Sequence, residues 1–131
     1  MMIETIMLPV ESRFGVTVYN ELLAHDPPAD KLLVVLPGKG YTCHHPVLYY
    51  LRRAALALGY DVLSVEYGFQ VANAEFDATT VETLQADAEA AVRPALARGY
   101  RQVCFAGKSL GTPLASELAR GLRVEAVRLI L

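Results

Sequence analysis

Val103-Cys104-Phe105-Ala106-Gly107-Lys108-Ser109-Leu110-Gly111 is the stretch on which the fold of this chain turns. The segment Arg101 to Ala106 closes in an unbroken apolar run, the composition of a strand buried on both faces. Leu110 to Arg120 carries apolar residues at helical spacing and stops at Gly121, so it reads as a helix. Between them lies a strand-to-helix turn with glycine two positions before and two positions after Ser109. A turn this sharp crowds its own neighbours, and residues without a Cβ relieve the crowding.

Working outward, the same alternation recurs. Lys31 to Leu36 is a second continuous apolar run, halted by Pro37-Gly38-Lys39-Gly40, the pattern of a central strand entering a tight loop. A helix follows from Pro46 to Leu58, with proline suited to its first turn and Gly59 to its stop. Asp61 to Tyr67 reads as a strand. Ala78 to Arg98 reads as a long helix opened by a Thr79-x-x-Glu82 capping box. Its apolar stripe is Val81, Leu84, Ala88, Val92, Ala95 and Leu96, and Pro94 should bend or shorten it. Val124 to Leu131 is a last strand. Ahead of all this, Ile3 to Leu8 and Phe14 to Leu23 suggest a hairpin of half-exposed strands, separated from the rest by the turn His25-Asp26-Pro27-Pro28-Ala29-Asp30, in which His25 is expected to face solvent. Strand and helix alternate with a period of ~30 residues, the size of a βαβ unit. The expected fold class is therefore α/β: a three-layer α/β/α sandwich with a mostly parallel central sheet and an antiparallel N-terminal hairpin. Residues 1–131 make a single domain.

A serine becomes a nucleophile when a base takes its proton and its Oγ is presented where a carbonyl carbon can reach it. The turn at Ser109 has the spacing that does the presenting, and the glycine loop after Leu36 falls where the other half of an oxyanion hole would be needed. The competing reading is an ordinary turn with an N-capping serine. A phosphate-binding loop fails on spacing, because its first glycine would have to be Gln102. A dinucleotide fingerprint at Gly38 and Gly40 fails because Cys43 stands at the third glycine position.

The chain resembles the first two thirds of a compact α/β-hydrolase-fold protein, with the nucleophile turn at Ala106-Gly107-Lys108-Ser109-Leu110-Gly111. The resemblance covers nearly the whole sequence. It implies Ser109 as nucleophile and the Leu110 N–H as one oxyanion donor, with acyl transfer on a small ester, thioester or related carbonyl substrate. It places the second donor in Pro37-Gly38-Lys39-Gly40-Tyr41, at Lys39 or Gly40, with Gly38 matching the glycine of the family's His-Gly pair and Pro37 replacing its histidine. A pocket beside Ser109 would draw on Gly38, Tyr41, His44 and His45. Lys39 and Lys108 near it raise an anionic substrate as one option.

The family's triad runs serine, acid, histidine. After Ser109 this sequence has Glu117 and Glu125 and no histidine. Glu117 sits inside a helix and Glu125 at the start of a strand, so both read as solvated surface charge. His44 and His45 stand on the same sheet edge as Ser109, where either could approach it, cap the following helix or line a pocket; neither is assigned as the base. The expectation is a chain truncated at its C-terminus, with about 60–80 further residues, two βα units, supplying acid and base. The alternative function is a non-catalytic hydrolase-like binding module, forming homo-oligomers through the exposed final strand.

Composition excludes other classes. With 53% hydrophobic and 20% charged residues and a net charge of -2, the chain has no positive field to gather nucleic acid or an anionic membrane. Its apolar runs are strand-sized, short of the ~20 residues that cross a bilayer, and the N-terminus lacks the basic region of a signal peptide. A cytoplasmic protein with a small-molecule substrate is expected. Cys43 and Cys104 lack metal-ligand spacing and read as reduced thiols, so no metal or cofactor is implied.

Overall fold

A computed structural model describes residues 2–75, 78–122 and 127–130, the side chains of 78–79 and 127–130 excepted. Among these residues six strands form one sheet: β1 (Met2–Glu11), β2 (Thr17–Asp26), β3 (Lys31–Leu36), β4 (Tyr60–Ser64), β5 (Gln102–Gly107) and β6 (Val127–Ile130), in the order β1-β2-β4-β3-β5-β6. The N-terminal hairpin is antiparallel and β2 joins β4 antiparallel, whereas β4, β3, β5 and β6 run parallel. Among the described residues four helices connect them: α1 (Pro46–Ala57), α2 (Gly68–Val71), α3 (Ala78–Leu96) and α4 (Gly111–Gly121).

Alternation along β3 accounts for the three layers. Leu32, Val34 and Leu36 point into a core shared with Leu84, Ala88 and Val92 of α3 and Leu114, Ala115 and Leu118 of α4. Leu33 and Val35 point the other way, against Leu48 and Ala55 of α1. A strand buried on both sides has no polar face to show, hence the continuous apolar run. Each side chain so buried contributes about 1.5–3 kcal/mol of transfer free energy.

The chain leaves β3 for β4 on one side and later returns to β5 on the other. Between β3 and β5 the strand order reverses, and loops at the carboxyl ends of the two strands diverge around a crevice where open α/β sheets bind ligands. Leu36 pairs with Gly107, so the two strands end level and the loops beginning at Pro37 and Lys108 start side by side.

Several expectations are corrected. His25 is buried, 5% exposed, because β2 continues through it to Asp26 and a carboxylate at Asp61 receives it. Tyr49 and Tyr50 are exposed on α1; they meet edge to face, with ring centroids 5.2 Å apart. Strand β4 stops at Ser64, and α2, with no counterpart in the sequence reading, follows. Pro94 lies within the last turn of α3, which ends at Leu96. The capping box at Thr79, Glu125 and the strand reading at Val124–Ala126 and Leu131 lie outside what the structure describes. Glu117 is on the surface, paired with Arg120 at 3.2 Å.

Candidate active site

Ser109 stands at φ +55°, the left-handed region that costs a non-glycine residue about 1–2 kcal/mol. The surrounding backbone enforces it. A Cβ at Gly107 would lie 2.3 Å from the Gly111 carbonyl oxygen, and one at Gly111 would lie 2.0 Å from that of Leu36. Both contacts are with main chain, which cannot swing aside as a side chain does. The turn is thus pressed onto itself and onto the end of β3, and Ser109 is lifted out: it is exposed, and its hydroxyl meets no hydrogen-bond partner among the described residues. Helix α4 begins at once. The Leu110 N–H, at the positive end of that helix, is likewise without an acceptor among the described residues, and such groups bind developing negative charge.

This strain makes a prediction. Ser109→Gly should raise stability by about 0.5–1 kcal/mol, relief of the left-handed strain outweighing the extra entropy of glycine in the unfolded chain. Ser109→Ala keeps the Cβ and should give no gain. Urea denaturation of the two variants beside the parent checks the pair.

The loop after β3 meets Ser109 directly. A Cβ at Gly38 would stand 2.9 Å from the Lys108 carbonyl oxygen and 3.0 Å from the Ser109 Cβ, so only glycine lets the loop close on the turn. Gly38 and Tyr41 exchange both backbone hydrogen bonds, at 2.9 and 3.2 Å, around Lys39 and Gly40, the latter at φ +68°. Glycine at a positive φ in the third position is the signature of a type II turn. The oxyanion candidates Lys39 and Gly40 and the pocket candidates Gly38 and Tyr41 thus form one tight turn against the turn at Ser109.

Beyond it, the Lys108 Nζ lies 4.9 Å from the centre of the Tyr41 ring. Tyr41 in turn packs on His45, with centroids 4.8 Å apart. The His45 Nδ1 accepts the Thr42 N–H at 2.9 Å. His45 therefore tightens the loop ahead of α1, and its side chain does not cap the helix. His44 belongs elsewhere: it is exposed and lines a cavity of about 190 Å³ with Glu21, Pro37, Cys43, Ser64 and Glu66, which Ser109 does not line. Cys43 is buried there, and desolvation, only partly opposed by the Arg52 guanidinium, pushes its thiol up from 9.0 to about 11. The thiol keeps its proton at neutral pH and is a packing group.

No cluster of three or more metal-ligating side chains occurs among the described residues, and no helix among them is long and apolar enough to cross a membrane.

No family model and no curated protein matches the sequence. Solved structures do match the coordinates. An esterase of Pyrococcus furiosus aligns with 97% of this chain and 50% of its own, at TM-score 0.71 and 13% identity. Dienelactone hydrolase from Anabaena variabilis aligns over 97% of this chain and 62% of its own, at TM-score 0.71 and 16% identity. A lidless α/β serine hydrolase from Xanthomonas campestris gives 96% and 60%, TM-score 0.71 and 18% identity. The chain has the α/β-hydrolase fold in partial form, spanning about half to three fifths of the length of these structures.

Proposed function

We propose that this chain carries the nucleophile and oxyanion half of a serine hydrolase acting by acyl transfer on a small ester, thioester or related carbonyl compound. The observation that carries the reading is Ser109 itself, a non-glycine residue held at φ +55° in a strand-to-helix turn built from two glycines whose Cβ positions are filled by backbone. Backbone strain at a solvent-facing hydroxyl is the mark of a functional position, because packing alone gives no reason to retain it.

In this reading the Ser109 Oγ attacks the substrate carbonyl carbon as a base removes its proton. The carbonyl oxygen, now anionic, moves between the Leu110 N–H and a second donor from the turn at Lys39 or Gly40. Collapse of the tetrahedral intermediate expels the alcohol or thiol and leaves an acyl-Ser109 ester for water to cleave. No described residue of this chain is assigned as the acid or the base. His25 is excluded as the base because it is buried, with its ring held by Asp61. Without the base the oxyanion groups and binding still provide a residual acceleration, on the order of 10³ over water in serine proteases.

A fluorophosphonate probe is the test. It should modify Ser109, located by peptide mass mapping, and Ser109→Ala should abolish the modification. Equal labelling of parent and variant would end the proposal.

A further inference from the structure

The turn beside Ser109 is held from behind by two residues that never reach the reacting atoms. Tyr67, 1% exposed, donates its hydroxyl to the Pro37 carbonyl at 2.6 Å. Gln70, one helical turn on, donates its Nε2 to the Gly38 carbonyl at 3.3 Å. We propose that Tyr67 and Gln70 are positioning residues that set the Gly38–Tyr41 turn so that its donor at Lys39 or Gly40 faces the oxyanion. This deepens the hydrolase reading above and rests on it.

The argument is peptide geometry. In a trans peptide the C=O and the N–H point in opposite directions and the unit is rigid. Fixing the Pro37 carbonyl on Tyr67 sends the Gly38 N–H the other way, and it is found on the Tyr41 carbonyl at 2.9 Å. Fixing the Gly38 carbonyl on Gln70 and the Tyr41 N–H turns the Lys39 N–H away from α2. Two consecutive peptide planes are thereby set by side chains from α2 and the residue just before it. A type II turn can flip its central peptide at modest cost, so a donor on such a turn is well aimed only if its flanking planes are fixed.

Helix α2 is itself anchored. A Cβ at Gly68 would fall 1.9 Å from the Ser12 Oγ and 3.0 Å from the Asp87 Oδ2, so α2 sits directly on the Ser12–Asp87 hydrogen bond. Ser12 follows β1 and Asp87 belongs to α3. Tyr67 also stacks on Phe69, with ring centroids 6.0 Å apart, and burial raises its hydroxyl well above the ordinary tyrosine value, so the proton needed for donation stays in place. The distant hairpin and α3 thus support the oxyanion turn through a rigid path of packed groups.

Tyr67→Phe and Gln70→Met each delete one donor and keep the shape. With the fluorophosphonate probe, each should lower the labelling rate at saturating probe about tenfold while leaving the half-saturating concentration within twofold. In parallel, amide hydrogen exchange at Gly38 and Tyr41, whose N–H groups are bonded across the turn, should rise at least tenfold in Gln70→Met, with Val34 in β3 unchanged. An unchanged saturating rate, or an exchange increase spread evenly over the sheet, overturns the positioning role. Loss of the hydrolase reading looks different: the probe then fails to modify Ser109 in the parent protein, and the exchange measurement alone decides whether Gln70 holds the turn.

Discussion

Gly111→Ala is expected to destabilise the fold by about 3 kcal/mol, whereas the same substitution ten residues on, Gly121→Ala, is expected to stabilise it by about 0.5–1 kcal/mol. Both glycines lie in α4, where alanine is the better helix former, so propensity predicts a gain at each. Packing reverses the sign at one. A Cβ at Gly111 meets the Leu36 carbonyl oxygen at 2.0 Å, its carbon at 2.7 Å and the Pro37 carbonyl oxygen at 2.9 Å, while one at Gly121 meets nothing within 4 Å. Relieving the first clash means driving α4 off the end of β3 by more than an ångström, which opens the core contacts of Leu114, Ala115 and Leu118 and parts the Ser109 turn from the Gly38 loop. Gly111→Ala should therefore also lose fluorophosphonate labelling, which Gly121→Ala keeps. Urea midpoints for the two variants give the comparison. Equal effects at the two positions would mean that the close approach of α4 to β3 is not a feature of the folded protein.

That close approach was legible in the sequence because its signals are local. Continuous apolar runs at Leu32–Leu36 and Val103–Ala106 can only be strands covered twice, and glycine on both sides of Ser109 has a local steric meaning. The hairpin, α1, α3 and α4 followed from the same kind of signal. What escaped depends on partners far along the chain. His25 sits in a proline-rich stretch that reads as exposed turn, and only distant partners, the Leu56 carbonyl and Asp61, 36 residues later, give it a reason to be inside. Arg52 is 7% exposed on the buried face of α1, where its guanidinium donates to the Cys43 carbonyl and to Glu21; helical spacing marks the position as inward, but nothing local tells a buried arginine from a solvated one. Helix α2, at four residues, is too short to leave a periodicity. Tyr67 and Gln70 were consequently invisible as supports of the turn after β3, although the glycines of that turn marked its place.

Asp61→Ala is expected to cost about 3–5 kcal/mol, the range for removing one member of a buried charged network. Asp61 is 1% exposed and lies at the amino end of β4, on the opposite edge of the sheet from Ser109. Its Oδ1 accepts the His25 backbone N–H at 2.8 Å and faces the His25 Nδ1 at 3.0 Å. Its Oδ2 accepts the Tyr100 hydroxyl at 2.5 Å. Alanine would strand the His25 backbone N–H and ring in a place water cannot refill and take the acceptor from Tyr100, and each buried donor left without an acceptor costs about 1–3 kcal/mol. Tyr100, only half-buried, recovers part of its loss from solvent, so Tyr100→Phe alone should cost about 1 kcal/mol. The two substitutions share one carboxylate and must couple: in the double variant, loss of the tyrosine hydroxyl should add little or nothing to the loss of Asp61. Denaturant unfolding of the four proteins closes the cycle, and strict additivity would show that the carboxylate and the hydroxyl act independently. Fluorophosphonate labelling of Ser109, measured on whatever fraction remains folded, should be unaffected, because this network pins the floor of the sheet and the chemistry is assigned to its roof.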